Sequence, residues 1–318
     1  MDQNKLDEKP SLVLGTAMWG WTVAEKEVFQ LLDHYYNRGY RSVDAATNYP
    51  INKNPSDFRA SELLLKAWID ANGVKDLSIN MKVGSLSNLK IPDHNLKPSF
   101  LQFNWQYYQK MFGANLKQYM LHWDNREDVA AIRDSLLTLK KIEQEGTIIG
   151  LSGLKFPELH AQVLEELEME VEIQLKHNLL YSDLARYRAV GFNHGFFLYG
   201  INAGGLKTEI NSYQENSSLK VRGGAIKKLH PIIQDMQLLL DQFKMDTETT
   251  GAAALNRLSM IFALGNPGVK GVLIGPSKLP QLKSSLDFYE STVIENISST
   301  YSSLLSIHRK YAPTEGKI

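Results

Sequence analysis

No cysteine occurs among the 318 residues of this chain. Disulfides, thiolate metal sites, iron–sulfur clusters and a cysteine nucleophile are excluded together. An excess of charge is missing too: 35 basic and 35 acidic residues give a formal net charge of +0. No Lys/Arg-rich stripe interrupts that balance, so nucleic acid and anionic membranes are poor partners. Any bound anion must be held locally, by one or two placed residues. No apolar run approaches the length of a bilayer span. Residues Met1 to Pro10 are polar and lack the apolar core of a signal peptide, which leaves the cytoplasm as the default expectation. The first glycine-bearing turn, Gly15-Thr-Ala-Met-Trp-Gly20, does not fit the dinucleotide fingerprint of an open doubly wound sheet. No metal site is expected.

What is present is an ordinary soluble composition, 43% hydrophobic and 22% charged, arranged as alternating short apolar runs and longer amphipathic segments. The strand candidates are Leu12–Gly15, Arg41–Asp44, Leu77–Lys82, Gln118–His122, Ile148–Ser152, Val171–Gln174, Gly195–Tyr199 and Gly271–Ile274. Helical patterns cover Glu25–Asn37, Ala60–Ala71, Pro98–Met111, Arg126–Gln144, Glu158–Leu167, Ser182–Ala189 and Ala252–Ala263. Such alternation implies parallel strands, and eight of them predict a single-domain (β/α)8 TIM barrel over residues 1–318. Two stretches depart from it: a polar loop at about 204–224, and a tail over 292–318 with a packing helix at Ile294–His308.

Three successive strands end on groups that are costly at the end of an apolar segment. Ser42-Val-Asp44 leads into Tyr49, Ile79-Asn-Met-Lys82 stops at a lysine, and Tyr119-Met-Leu-His122 stops at a histidine. Singly, each has a bland explanation: Asp44 as a turn cap, Tyr49 packing beside Pro50, His122 as a core histidine. Jointly they fall at the carboxyl ends of barrel strands, where such barrels do their chemistry. A phenol, an ammonium, a carboxylate and an imidazole suit proton delivery to a carbonyl oxygen. Lowering a phenol pKa by ~2–3 units requires roughly 3–4 kcal/mol of preference for the phenolate. One ammonium about 4 Å away, at an effective dielectric of about 20, supplies ~4 kcal/mol. Tyr49 is then the acid, Lys82 tunes it, Asp44 keeps Lys82 charged and in place, and His122 orients the oxygen.

The ordered motifs resemble those of the aldo-keto reductases. They are Leu14-Gly-Thr16, Gly39-Tyr-Arg-Ser-Val-Asp44-Ala-Ala-Thr-Asn-Tyr49, Met81-Lys82-Val-Gly84 and Leu121-His122-Trp-Asp124. They continue through Glu145-Gly-Thr-Ile-Ile-Gly-Leu-Ser152, Gln174-Leu-Lys-His-Asn178, Tyr199-Gly-Ile-Asn-Ala-Gly-Gly-Leu206 and Gly271-Val-Leu-Ile-Gly275. The resemblance implies that Asp44, Tyr49, Lys82 and His122 form the family's catalytic tetrad. It implies NADPH, with NADH possible, extended across the barrel mouth, and a small carbonyl or sugar as substrate. Ser152 and Gln174 would hold the carboxamide and Tyr199 would stack on the nicotinamide. Thr16, Gly200, Asn202, Gly275, Ser277, Lys278, Gln281 and Ser285 complete the implied cofactor site. Ser277 reads as a helix cap, with Lys278 near a helix amino terminus suited to phosphate.

The chain departs from the family pattern at four places. Gly153 follows Ser152 where many relatives carry Asn. Gln281 replaces a charged residue, Ser285 stands where an adenine-binding Asn is common, and Pro50–Arg59 is longer than usual. Trp19, Trp21 and Trp123 are candidates for an aromatic substrate wall. Two alternatives stay open on the sequence: a Schiff-base lyase or aldolase using Lys82, and a cofactor-sensing partner protein with weak turnover.

Overall fold

The computed structural model describes residues 9–89, 93–190, 195–208, 229–242 and 251–312. Eight parallel strands carry the fold: β1 (Ser11–Gly15), β2 (Ser42–Ala46), β3 (Ser78–Val83), β4 (Leu116–His122), β5 (Ile148–Ser152), β6 (Glu172–Asn178), β7 (Gly195–Tyr199) and β8 (Val269–Ile274). They run in the order β5-β4-β3-β2-β1-β8-β7-β6, and β6 pairs back with β5. That last pairing sets Gly150 against Glu172 and Ser152 against Gln174. The sheet is therefore a closed (β/α)8 barrel, as the alternation predicts.

Helices α1 (Glu25–Asn37), α2 (Ala60–Asn72), α3 (Pro98–Phe112), α4 (Val129–Glu143) and α5 (Pro157–Glu166) follow the first five strands. Then α6 (His230–Gln242) and α7 (Ala252–Leu264) precede β8, and α8 (Leu279–Ser291) and α9 (Ser298–Tyr311) follow it. Side chains alternate across each strand, and here the alternation separates two cores. Leu14, Val43, Ile79, Leu121, Ile149 and Ile173 belong to the large apolar core shared with the helices. Val13, Phe197 and Leu273 form a small second cluster with Tyr199 packed against it. Polar groups are buried as well: Gln118 Nε2 donates to Glu172 Oε2 at 2.7 Å, and burial pushes the Glu172 carboxyl up. A Cβ at Gly150 would lie 2.9 Å from that Gln118 Nε2 and 2.4 Å from Met120 Cε, so those side chains would have to shift.

The structure revises several boundaries. Residues 182–189, predicted as helix, instead begin with a two-residue strand, Tyr181–Ser182, antiparallel to the end of β6, and reach a 3-10 turn at Arg186–Val190. The Asn178 side chain accepts from the amides of Leu180 and Tyr181 at 3.0 Å each. Such local side-chain bonds offer the backbone an alternative to helix. Helix α4 starts at Val129 rather than Arg126, because Asp128 caps it by accepting from Ala131 N at 3.1 Å. Helix α6 was absent from the sequence prediction. It buries Ile232, Ile233, Met236 and Leu239, and Asp235 on it accepts from Lys310 Nζ and Tyr311 Oη of α9, both at 2.8 Å. The predicted tail helix Ile294–His308 is instead a 3-10 turn at Ile294–Ile297 followed by α9 over Ser298–Tyr311. The polar loop expected at 204–224 lies outside the described residues beyond 208.

Candidate active site

The ends of β2 and β3 and the loops after them are tied together by hydrogen bonds. Thr16 Oγ1 donates to Asp44 O at 3.0 Å, and Thr47 N donates to Lys82 O at 3.1 Å. The Tyr49 amide donates to Ala46 O at 3.2 Å, and its carbonyl accepts from Ser61 N at 3.4 Å. Both oxygens of buried Asp44 are engaged. Oδ2 accepts from Lys82 Nζ, and Oδ1 accepts from Gln174 Nε2 at 2.6 Å. Burial depresses the pKa of Lys82, and the Asp44 carboxylate opposes that fall.

Lys82 Nζ lies 5.2 Å from the centroid of the Tyr49 ring. The Tyr49 and His122 rings meet edge to face, centroids 6.1 Å apart and planes at 90°. His122 is buried, and its Nδ1 has no partner among the described residues. Burial first, and the charge of Lys82 second, hold its imidazole well below the ordinary histidine range. The ring is neutral at neutral pH.

These four side chains line one cleft of about 1290 Å³ at the barrel mouth. Thr16, Ser152, Gln174, Tyr199, Gly200 and Asn202 line the same cleft, as do Gly275, Ser277, Lys278, Gln281 and Ser285. Of the three candidate wall tryptophans, only Trp123 does. Trp19 is 1% exposed within the apolar core, and Trp21 is partly buried away from the cleft. Trp123 adopts a left-handed backbone with φ 61°, held by its amide donating to Ser152 O at 2.8 Å. Its indole lies against Gly153, where a Cβ would come within 2.5 Å of Trp123 Cδ1. The missing side chain at 153 makes room for the tryptophan.

Behind Trp123, Asp124 is buried and accepts from Arg126 Nη2 at 2.6 Å and from His160 Nε2 at 3.0 Å. Burial would raise its pKa, but the bonds from Arg126 and His160 win and hold the carboxyl below the usual range. This anchor fixes the chain immediately after His122.

On the opposite side of the cleft, Lys278 rather than Ser277 occupies the amino-terminal cap position of α8. Gln281 Oε1 accepts from Ser277 N at 2.9 Å, Ser277 Oγ at 3.1 Å and Lys278 N at 3.1 Å. Three donors thus converge on one oxygen, the arrangement a phosphate oxygen would meet. Asn202 Nδ2 donates to Asn256 Oδ1 at 2.5 Å, and Asn256 Nδ2 donates to Ser285 Oγ at 3.0 Å. Sequence reasoning missed Asn256; its one signal is a polar pair, Asn256-Arg257, inside the otherwise apolar α7. It also missed Thr22, Asn48 and Asn88, which line the cleft.

The sequence profile of the Aldo/keto reductase family matches residues 11–299. The chain belongs to that family. Aldo/keto reductases are oxidoreductases that use nicotinamide cofactors on small carbonyl compounds, and the cleft offers donors suited to such a cofactor. A curated relative described as an uncharacterized 11.2 kDa protein in crtE 3'region, from Pseudescherichia vulneris, is 36% identical over 78 residues. That match spans 24% of this chain and 76% of the relative. Among the described residues, no helix is long and apolar enough to cross a membrane. Nor does any group of three or more His, Cys, Asp or Glu form a candidate metal site among them.

Proposed function

We propose that this aldo/keto reductase converts the carbonyl of a small molecule to an alcohol with NADPH, using Tyr49 as the proton donor. The observation that carries this reading is the buried Asp44–Lys82 pair beside the Tyr49 ring, with His122 on the same cleft. Lys82 Nζ lies 5.2 Å from the ring centroid, so its positive charge favours the phenolate and helps the phenol give up its proton to a developing alkoxide. Asp44 keeps Lys82 charged against the effect of burial, and Gln174 holds the other carboxylate oxygen.

His122, neutral at working pH, does not serve as the acid. A buried orphan N–H is rarer than an orphan acceptor, so its proton sits on Nε2. There it donates to the carbonyl oxygen and orients it toward Tyr49. NADPH, when bound, supplies the hydride. Ser152 and Gln174 Oε1 would hold its carboxamide and Tyr199 would stack on its ring. Ser277 and Lys278 would take the adenosine 2′-phosphate once Gln281 yields its three donors. The ion pair keeps Lys82 protonated, the opposite of what Schiff-base formation requires.

The test combines fluorescence titration with NADPH and NADH and a turnover screen of aldehydes, ketones and sugars. Tyr49→Phe is expected to lose turnover by about 10²-fold or more while nucleotide affinity stays nearly unchanged. Wild-type activity in that variant removes Tyr49 from the mechanism. Substrate trapped on Lys82 by borohydride without nucleotide would overturn reduction in favour of a lyase.

A further inference from the structure

The phenol of Tyr49 and the ammonium of Lys82 come from different segments, so their separation depends on what holds the loop after β2. The Tyr49 amide is tied to the end of that strand at Ala46 O. The far end of the loop then returns to Tyr49. Ser61, in the first turn of α2, donates from its amide to the Tyr49 carbonyl at 3.4 Å and from its hydroxyl to Thr16 O at 2.9 Å. Thr16 in turn donates to the Asp44 carbonyl, from its amide at 3.2 Å and from its hydroxyl at 3.0 Å. Asp44, Thr16, Ser61, Tyr49 and Ala46 therefore close a ring of hydrogen bonds, completed covalently along β2. The ring joins the carboxylate residue of the ion pair to the phenol residue by way of Ser61.

Local structure explains why this serine can do so. The first amides of a helix have no partner within it, and the Ser61 N–H, second in α2, spends that capacity on the Tyr49 carbonyl. Its hydroxyl rotates to suit an acceptor and reaches across to the loop after β1. The turn that carries Ser61 is itself fixed. Glu62 is fully buried and accepts from Arg59 Nε at 2.6 Å and from Tyr108 Oη of α3 at 2.7 Å. Ser61 is fully buried as well and stands off the cleft, so it acts only through the residues it bonds.

Resting on the reading of Tyr49 as proton donor, we propose that Ser61 is a positioning residue whose two hydrogen bonds hold the Tyr49 phenol in its place beside Lys82 for proton transfer. A misplacement of about 1 Å can cost about 10²-fold in rate, and a phenol drawn away from an ammonium is less acidic.

The experiment uses the full chain carrying Ser61→Ala, with NADPH or NADH and an aldehyde that the wild type reduces. Thr16 O keeps its bond from Trp19 N at 3.1 Å, so the substitution strands no buried carbonyl. The rate of nucleotide oxidation in a single turnover, read well below the melting temperature, should fall about tenfold while nucleotide affinity by fluorescence titration stays within about twofold. The alkaline limb of the pH–rate profile should move to higher pH, because a phenol farther from Lys82 keeps its proton longer. Ser61→Cys, close in size with a weaker donor, should shift both readouts the same way by less, and it supplies the test if the alanine variant does not fold. A purely structural serine would lower the melting temperature and leave rate and profile at wild-type values, and that result overturns the proposal. A fall in rate matched by an equal loss of nucleotide affinity overturns it too. If the wild type reduces no aldehyde, ketone or sugar, the carbonyl-reduction reading falls and the proposal with it; wild-type turnover that Ser61→Ala leaves intact overturns the proposal alone.

Discussion

At the scale of single residues, the Asp44–Lys82 pair dominates. Removing half of a buried ion pair strands the other charge and costs roughly 3–5 kcal/mol. Lys82→Met should therefore lower the melting temperature and cut kcat by about 10²-fold or more. Adding Asp44→Asn should recover much of the stability and none of the turnover, which calorimetry and steady-state kinetics would read side by side. Gly153 makes a different kind of demand. With φ 71° and a would-be Cβ 2.5 Å from Trp123, Gly153→Ala is expected to destabilise by about 1–3 kcal/mol. It should also shift the tryptophan emission as the Trp123 indole moves. The ionisable strand ends were legible in the sequence because burying Asp, Lys or His needs a reason. Asn48, Asn88 and Asn256 were not, because asparagine is common in turns and carries no mark of whether its amide is paired. Trp19 misled for a related reason: an indole looks the same in a core as on a wall.

Among the elements, boundaries followed side chains that compete with the backbone. Asp128 fixed the start of α4 and released Arg126 to bind Asp124, while Asn178 turned a predicted helix into a short hairpin. Those contacts are local but depend on rotamers, so periodicity alone does not reveal them, whereas α6 carries its buried face at regular spacing. The β6–α7 junction gives a pH prediction. His177 stacks on Phe262 with centroids 4.5 Å apart and bonds Ser182 Oγ at 2.8 Å, and burial pushes its imidazole down to about 3. An unfolded histidine titrates near ~6.5, so below that the unfolded chain takes up a proton that the folded chain refuses. Stability from this group is full above about 6.5 and declines as pH falls toward 3. Urea unfolding at pH 7 and pH 4 should therefore show a smaller acid loss for His177→Asn than for wild type. Asp124 acts lower: its depressed carboxyl pKa contributes stability above about pH 4 that is lost on further acidification.

For the whole molecule, the cleft links binding to folding. A nucleotide that binds only the folded barrel, present at about 100 times its Kd, should stabilise it by ~2.7 kcal/mol. A thermal shift larger with NADPH than with NADH is expected if Ser277 and Lys278 grip a 2′-phosphate, and equal shifts would argue against that grip. The pairing of β5 with β6 has a consequence of its own. With the ring of eight strands complete, no barrel strand presents a free row of amides and carbonyls, so recruitment or misassembly by strand addition is closed to the native ring. Among the described residues, helices and rim loops are the surfaces left for a partner. New specificity can then evolve at the rim while the staves stay as they are.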